Sequence, residues 1–255
     1  NRVTFKNHLS VNLKLKIKPT EGYDYYETRL LDFESYFLKS KLYGISSWIS
    51  TDYRKNLALD FSLGTEYEPL YESYKYHYRI SPLLRVNDKF SMRYVMSTST
   101  KKNNVGYMDT DSLNNILFSK RDIYMITNVL SGSYIINNKM YIKMKLRHYW
   151  SQLENIEILN IDNKGLCHSY TTENMEEYNI NFNTWNIDCG FTWHFAPGSE
   201  MTVLLQNSIA SSNNQTENNY FNNVRTLLNN VQKNTLSLKI KYYLDYNKLK
   251  NAKSK

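Results

Sequence analysis

The sequence predicts an all-β fold: an antiparallel up-and-down transmembrane β-barrel with about ten strands in this chain, forming part of a larger barrel. Three observations predict it. Apolar and polar residues alternate over long stretches, one hairpin has arms of about 15 residues, and long and short connections between strands take turns along the chain.

The hairpin runs from Asp122 to Leu153. In its second arm Met140, Ile142, Met144, Leu146, His148 and Trp150 point one way, and Lys139, Tyr141, Lys143, Lys145, Arg147 and Tyr149 the other, because successive side chains of a strand alternate faces. Parity thus sends His148 and Trp150 to the lipid side and Arg147 and Tyr149 inward. The first arm is as long and has no proline, and Asn137-Asn138 between the arms tolerates the positive φ of a tight turn. Arms of this length reach roughly 50 Å. Strands of soluble domains usually have about 5 or 6 residues, whereas a tilted strand crosses a bilayer in about 9 to 11.

The same alternation places strands near 2–18, 42–51, 57–65, 74–82, 89–98, 122–136, 139–153, 184–195, 200–209 and 235–246. The clearest apolar faces are Leu57, Leu59, Phe61 and Leu63; Trp185, Ile187, Cys189, Phe191, Trp193 and Phe195; and Leu236, Leu238, Ile240, Tyr242 and Leu244. Connections 19–41, 66–73, 99–121, 154–183 and 210–234 are long or intermediate, and those between them are short. That sorting matches outer-membrane barrels, with long loops outside and turns in the periplasm. A soluble β-protein can alternate too, but has no reason to sort its loops by parity.

Composition agrees. Only 41% of residues are hydrophobic, and no run approaches the roughly 20 apolar residues of a membrane helix. There are 23 Tyr against 8 Gly and 4 Pro, as tyrosine-lined strands and interfacial girdles require. No linker divides the chain, so residues 1–246 read as one barrel domain and 247–255 as a basic tail. The first residues already alternate, so the chain is expected to start mid-protein, either as a processed or truncated piece or with a preceding region omitted. Cys167 falls in a loop and Cys189 on an apolar strand face, so neither a disulfide nor a metal cluster is expected.

Trp48-Ile49-Ser50-Thr51-Asp52-Tyr53-Arg54-Lys55, Arg147-His148-Tyr149-Trp150-Ser151, Phe195-Ala196-Pro197-Gly198-Ser199-Glu200 and Ser237 to Tyr246 follow in this order. Together they resemble the C-terminal barrel region of a Gram-negative outer-membrane family of undefined function, in which a family-nine-like carbohydrate-binding domain precedes the barrel. The resemblance implies an integral outer-membrane barrel with a glycan connection, and places the sugar-binding domain and earlier strands upstream of Asn1. It carries over no catalytic residue. The chain continues past Tyr246, which departs from barrels that end on an aromatic residue.

Ala196, Pro197, Gly198 and Ser199 form a turn, placed in the periplasm, because proline fixes one φ and glycine supplies a positive one. The histidines at 8, 77, 148, 168 and 194 lack metal-ligand spacing. Asp109-Thr110-Asp111 lacks the glycine and distal glutamate of a calcium loop. No catalytic residue, metal or cofactor is assigned, and the chain is read as non-enzymatic.

Charge is sorted. The five external connections hold 17 of 24 acidic and 10 of 32 basic residues, a net −7, leaving +15 elsewhere. The strand cations stand opposite the apolar faces: Lys6, Lys14, Lys16, Lys75, Arg79 and Arg93 in the first half, and Lys143, Lys145, Arg147, Lys239 and Lys241 in the second. Charge is costly at mid-bilayer, so these side chains are expected to line a lumen. A solvated, salt-bridged wall is the preferred reading; an anion-attracting interior that could dock an acidic loop is the sharper one. On that sharper reading the 19–41 or 154–183 loop lies against Lys143, Lys145 and Arg147. No basic cluster or motif points to nucleic acid.

The 19–41 loop offers Tyr23, Tyr25, Tyr26, Phe33, Tyr36 and Phe37, rings on which sugars could stack or which pack the loop onto the barrel mouth. The expected function is therefore glycan capture or passage at the bacterial outer membrane, with membrane lipid, a glycan ligand and a protein partner in a membrane complex as partners. The alternative is a structural or assembly subunit that anchors a periplasmic or surface partner.

Overall fold

The computed structural model describes residues 2–30, 35–111, 115–171 and 175–244. Its strands in chain order are β1 (Arg2–Thr4), β2 (Ser10–Lys18), β3 (Gly22–Asp24), β4 (Phe37–Lys39), β5 (Leu42–Ser50), β6 (Leu57–Glu68), β7 (Ser73–Arg85), β8 (Phe90–Thr110), β9 (Ile116–Asn137), β10 (Met140–Ile161), β11 (Cys167–Thr171), β12 (Ile180–Ala196), β13 (Ser199–Asn213) and β14 (Gln232–Lys241). One helix, α1 (Tyr220–Leu228), and two short 3₁₀ turns complete them.

Twelve strands form one antiparallel up-and-down sheet in the order β1-β2-β5-β6-β7-β8-β9-β10-β12-β13-β14, with β11 added to the end of β10. The fold class is all-β as expected. The sheet is open among the described residues: β14 and the Lys14–Lys18 part of β2 each pair on one side only. The tail 247–255 lies outside the described residues.

Several boundaries differ from the expectation. Residues 2–18 form a hairpin, β1 and β2, rather than one strand. Its turn places Leu9 four positions after Phe5, an even step, which keeps the alternation intact and hides the reversal; His8 supplies a positive φ of 61°. The 99–121 and 154–183 connections are largely strand, because β8, β9 and β10 run 21 or 22 residues. Both faces of Ile116–Ser119 are buried there, so no alternation marks them. The hairpin turn falls on Asn138-Lys139, and neither Asn137 nor Asn138 has a positive φ. A register shift after Met140 absorbs the twist instead, and Asn137 Oδ1 accepts the Lys139 N–H at 2.9 Å.

Pro197 and Gly198 make the β12–β13 turn, Gly198 with φ 73°. Ser199 Oγ beneath it accepts the Tyr243 N–H at 2.9 Å, tying the turn to the residues after β14. In the β5–β6 turn Arg54 grips Asp52 through its side chain and backbone N–H, which holds the Asp52 carboxyl far below the usual carboxylate range. Arg85 caps the same turn at the Tyr53 and Lys55 carbonyls.

Registers decide which residues share a face. On β5 to β7 one face exposes Tyr43, Ile45, Leu57, Leu63, Tyr67 and Tyr74, while the other buries Leu42, Ser50, Ala58, Ser73 and Ser81. Unequal exposure of two faces reports curvature, the shielded face being concave. The apolar face is thus convex, and small residues crowd the polar one. A Cβ on Gly64 would meet the His77 ring at 2.5 Å and Ser46 Cβ at 2.7 Å, whereas one on Gly132 would touch nothing. Gly64→Val should therefore lose about 1–3 kcal/mol of stability in urea-gradient unfolding, with Gly132→Ala unchanged.

Candidate functional site

The pairings place Lys14, Lys16, Lys75, Arg79 and Arg93 on the polar face, and Lys143, Lys145, Arg147, Lys239 and Lys241 with them. Their surroundings differ from one side of the sheet to the other. Toward β2 to β8 some of the cations are answered: Lys16 pairs with Glu66 at 3.1 Å, Lys101 with Glu68 at 3.3 Å, and Arg93 with Asp60 at 3.6 Å, while Lys14, Lys75 and Arg79 make no ion pair among the described residues. The Tyr53 hydroxyl also donates to Asp60, and Arg93 lies over the Tyr53 ring. Toward β10 to β14, Lys143, Lys145, Arg147, Lys239 and Lys241 make no ion pair among the described residues.

Small residues make room between these cations. Ser91, Ser133, Lys143 and Gly190 face one another along one row, and Arg93, Ser131, Lys145 and Asp188 along the next. A cleft of about 510 Å³ opens between the rows. Asp188, across from Lys145, accepts from Gln206 at 2.7 Å. These three ion pairs thus lie toward β2 to β8, and none of those five cations toward β10 to β14 is paired among the described residues. Such a surface attracts anionic and strongly hydrated polar groups.

The second element of the site is the rim. Phe37 is buried against Phe118 and Tyr71, with ring centroids at 5.1 and 5.8 Å, in a cluster with Val105, Ile116 and Leu159. It anchors the 19–41 segment to the ends of β8, β9 and β10. Tyr36 packs edge-on to Tyr23 and Tyr25 and against Gly165, whose φ is 73° and where a Cβ would stand 2.6 Å from the Tyr36 carbonyl. Leu38 N–H donates to the Gly165 carbonyl at 2.8 Å. Tyr23, Tyr25 and Tyr26 keep exposed rings. Of the six aromatic residues expected to meet a ligand, Phe37 and Tyr36 therefore hold the loop, and Phe33 lies outside the described residues.

Among the described residues no acidic residue of the loop pairs with Lys143, Lys145 or Arg147; Asp32 and Glu34 lie outside the described residues. Asp24 pairs with Lys39 of the same loop. Glu27 accepts the Tyr107 N–H at 3.1 Å beside Arg121, whose guanidinium donates to the Tyr107 carbonyl at 2.9 Å. Between loop and strands lies a cavity of about 710 Å³ bordered by Glu27, Phe37, Glu68, Tyr71, Lys101 and Arg121. An aromatic edge among carboxylates and cations suits a polar ligand with many hydroxyls. Sequence reasoning missed Glu27, Glu68, Tyr71 and Arg121 as members of this site. The acidic loop pointed to Glu27, but nothing local pointed to Arg121.

His148 and Trp150 correct the reading of a lipid-exposed girdle, for both are buried beneath α1. Tyr220 of the helix hydrogen-bonds His148 Nδ1 at 3.0 Å and accepts from Asn128 Nδ2 at 2.9 Å. Among the described residues no group of three or more His, Cys, Asp or Glu could hold a metal ion. Among the described residues no helix is long and apolar enough to cross a membrane, which leaves crossing by strands open.

Over residues 1–253 the chain matches a family described as a domain of unknown function, DUF5916. No curated protein matches it.

Cys167 reports on the rim. Burial pushes its thiol up to about 12, and its N–H donates to the Tyr71 hydroxyl at 3.3 Å. The thiol is neutral at pH 8, so iodoacetamide should modify it slowly in a Cys189→Ala background. Phe37→Ala, which removes about 3–5 kcal/mol of packing, should speed modification several-fold; equal rates would mean that Phe37 does not hold the loop.

Proposed function

The chain belongs to the DUF5916 family, and we propose that it forms the wall and outer mouth of a non-enzymatic outer-membrane β-barrel that captures or passes glycans. The observation that carries the membrane reading is an uncharged face bounded by aromatic residues. From Tyr124 to Tyr134 on β9 the apolar face carries Tyr124, Ile126, Asn128, Leu130, Gly132 and Tyr134. The strands paired to it carry no Asp, Glu, Lys or Arg on that face over the same height.

Aromatic rows close this band at both ends. Tyr43, Tyr67 and Tyr74 stand opposite one another near one rim, with Tyr76, Tyr78 and Tyr124 below them. Phe90 and Tyr134, then Trp193, Phe195 and Tyr242, mark the other. Tyr124 and Tyr134 are ten residues apart, which is about 33 Å along a strand and about 25 Å along the normal of a strand tilted by about 40°. That is the height of the apolar band of outer-membrane barrels. Exposed side chains such as Leu15 at 65% and Leu238 at 63% would otherwise leave a large apolar surface in water.

Glycan as the cargo is supported by the rim cavity, by the exposed rings of Tyr23, Tyr25 and Tyr26, and by the resemblance to barrels preceded by a carbohydrate-binding domain. The open edges of β2 and β14 support closure by further strands. A long unpaired edge is otherwise a template for aggregation.

Opposite faces of one strand pair test the membrane reading. Leu146→Arg places a charge in the uncharged band and should remove about 2–4 kcal/mol of stability, with loss of the heat-modifiable folded form from outer membranes. Ser131→Arg, on the polar face, should fold normally; equal tolerance of both would end the reading. Conductance in planar bilayers separates passage from the anchoring alternative: an open barrel conducts, and a silent one identifies an anchor.

A further inference from the structure

The helix α1 lies on the convex apolar face, across the strands and over the second and third rows of the uncharged band, counted down from Tyr124. Tyr220 stands over Asn128 and His148 of β9 and β10, and Asn223 accepts from Asn183 of β12 through its carbonyl at 3.4 Å. Leu227, buried, borders Ser211 of β13. Asn128 and His148 are register partners, and Trp150, Asn183 and Ser211 form the next row, so the helix keeps one height along its length.

Its three sides differ. Tyr220, Asn223 and Leu227 face the wall and satisfy polar groups there that lipid could not: Asn128, His148 and Asn183 bond to the helix, and Asn181 and Gln152 to the 215–217 segment before it. Thr226 and Asn223 border a small pocket whose other walls, Asn213, Gln215 and Thr216, belong to the outer rim. At 3.6 residues per turn the opposite edge carries Phe221, Arg225 and Leu228, and this edge points down the band. Phe221 is 80% exposed, and Val231 just after the helix 93%.

We infer that α1 is an interfacial helix, lying in the boundary between outer leaflet and water with Phe221, Leu228 and Val231 in lipid and Arg225 among anionic headgroups. The inference rests on the membrane reading above. Height, orientation and continuity with the apolar band select lipid as the occupant of this edge. In-plane helices with one apolar edge and a flanking cation bind at this depth. The helix thereby shields a polar patch of the wall, Asn128, His148 and Asn183, at the level where lipid begins.

Nitroxide accessibility in native outer-membrane vesicles tests it, using the full-length protein with Cys167→Ala and Cys189→Ala and single labels introduced by Phe221→Cys, Leu228→Cys, Asn222→Cys or Leu238→Cys. Leu238 controls for the barrel, and Asn222 lies on the polar edge. The expected result is access to oxygen over a nickel chelate at Leu238, Phe221 and Leu228, several-fold above the ratio at Asn222. If Leu238 is lipid-like and Phe221 matches Asn222, the helix stands in water and the inference fails while the barrel survives. If Phe221 and Leu228 are shielded from both reagents, a protein covers them and lipid is excluded. A water-like Leu238 ends the membrane reading and this inference with it.

Discussion

Everything in this structure depends on the registers of the backbone ladder. From β2 to β14 each strand pairs antiparallel with the next, and each register fixes which side chains stand together. Since side chains alternate with period two, one slip would carry every apolar residue of a strand to the wrong face. A charge-free face ten strands wide is possible only because the registers agree over its whole height. The same agreement gathers cations contributed by five different strands on the reverse.

The registers shift where the sheet's task changes. In β8 the shift between Lys101 and Asn104 sits just beyond the upper aromatic row. It is held by Asn103 with φ 53°, whose N–H donates to Asp122 Oδ1 at 3.1 Å and whose amide reaches the Glu72 carbonyl at 3.2 Å. In β10 a second shift follows Asn155, itself bound to Asn179. Beyond both, the strands cease to have one apolar and one polar face and are covered by loops. There Phe118 is fully buried, Phe37 stacks on it, and the rim cavity forms. The bulges thus separate a two-faced sheet from a packed, globular mouth.

Two kinds of polar surface follow, with different physics. The wall holds its cations apart on rows of Ser and Gly, so Lys143, Lys145 and Arg147 act as a field over open space, and that field weakens with salt. The rim holds Glu27 and Arg121 in fixed geometry through backbone groups of Tyr107, and so can discriminate one ligand orientation from another.

The sequence by itself determined the fold class, the partition of residues between two faces, and the Pro197-Gly198 turn. These are local, set by neighbours two residues apart or by the φ preferences of two residues, and they survive any tertiary arrangement. It misplaced the hairpin turn by one residue and hid the β1–β2 reversal, because an even step through the turn leaves alternation undisturbed. Tertiary structure alone decided what stands on the faces. Glu27 and Tyr107 are 80 residues apart, and Tyr220 and His148 are 72 apart. No periodicity encodes such contacts, so His148 and Trp150 read as strand residues facing lipid until α1, folded back from a segment with no strand pattern, covered them.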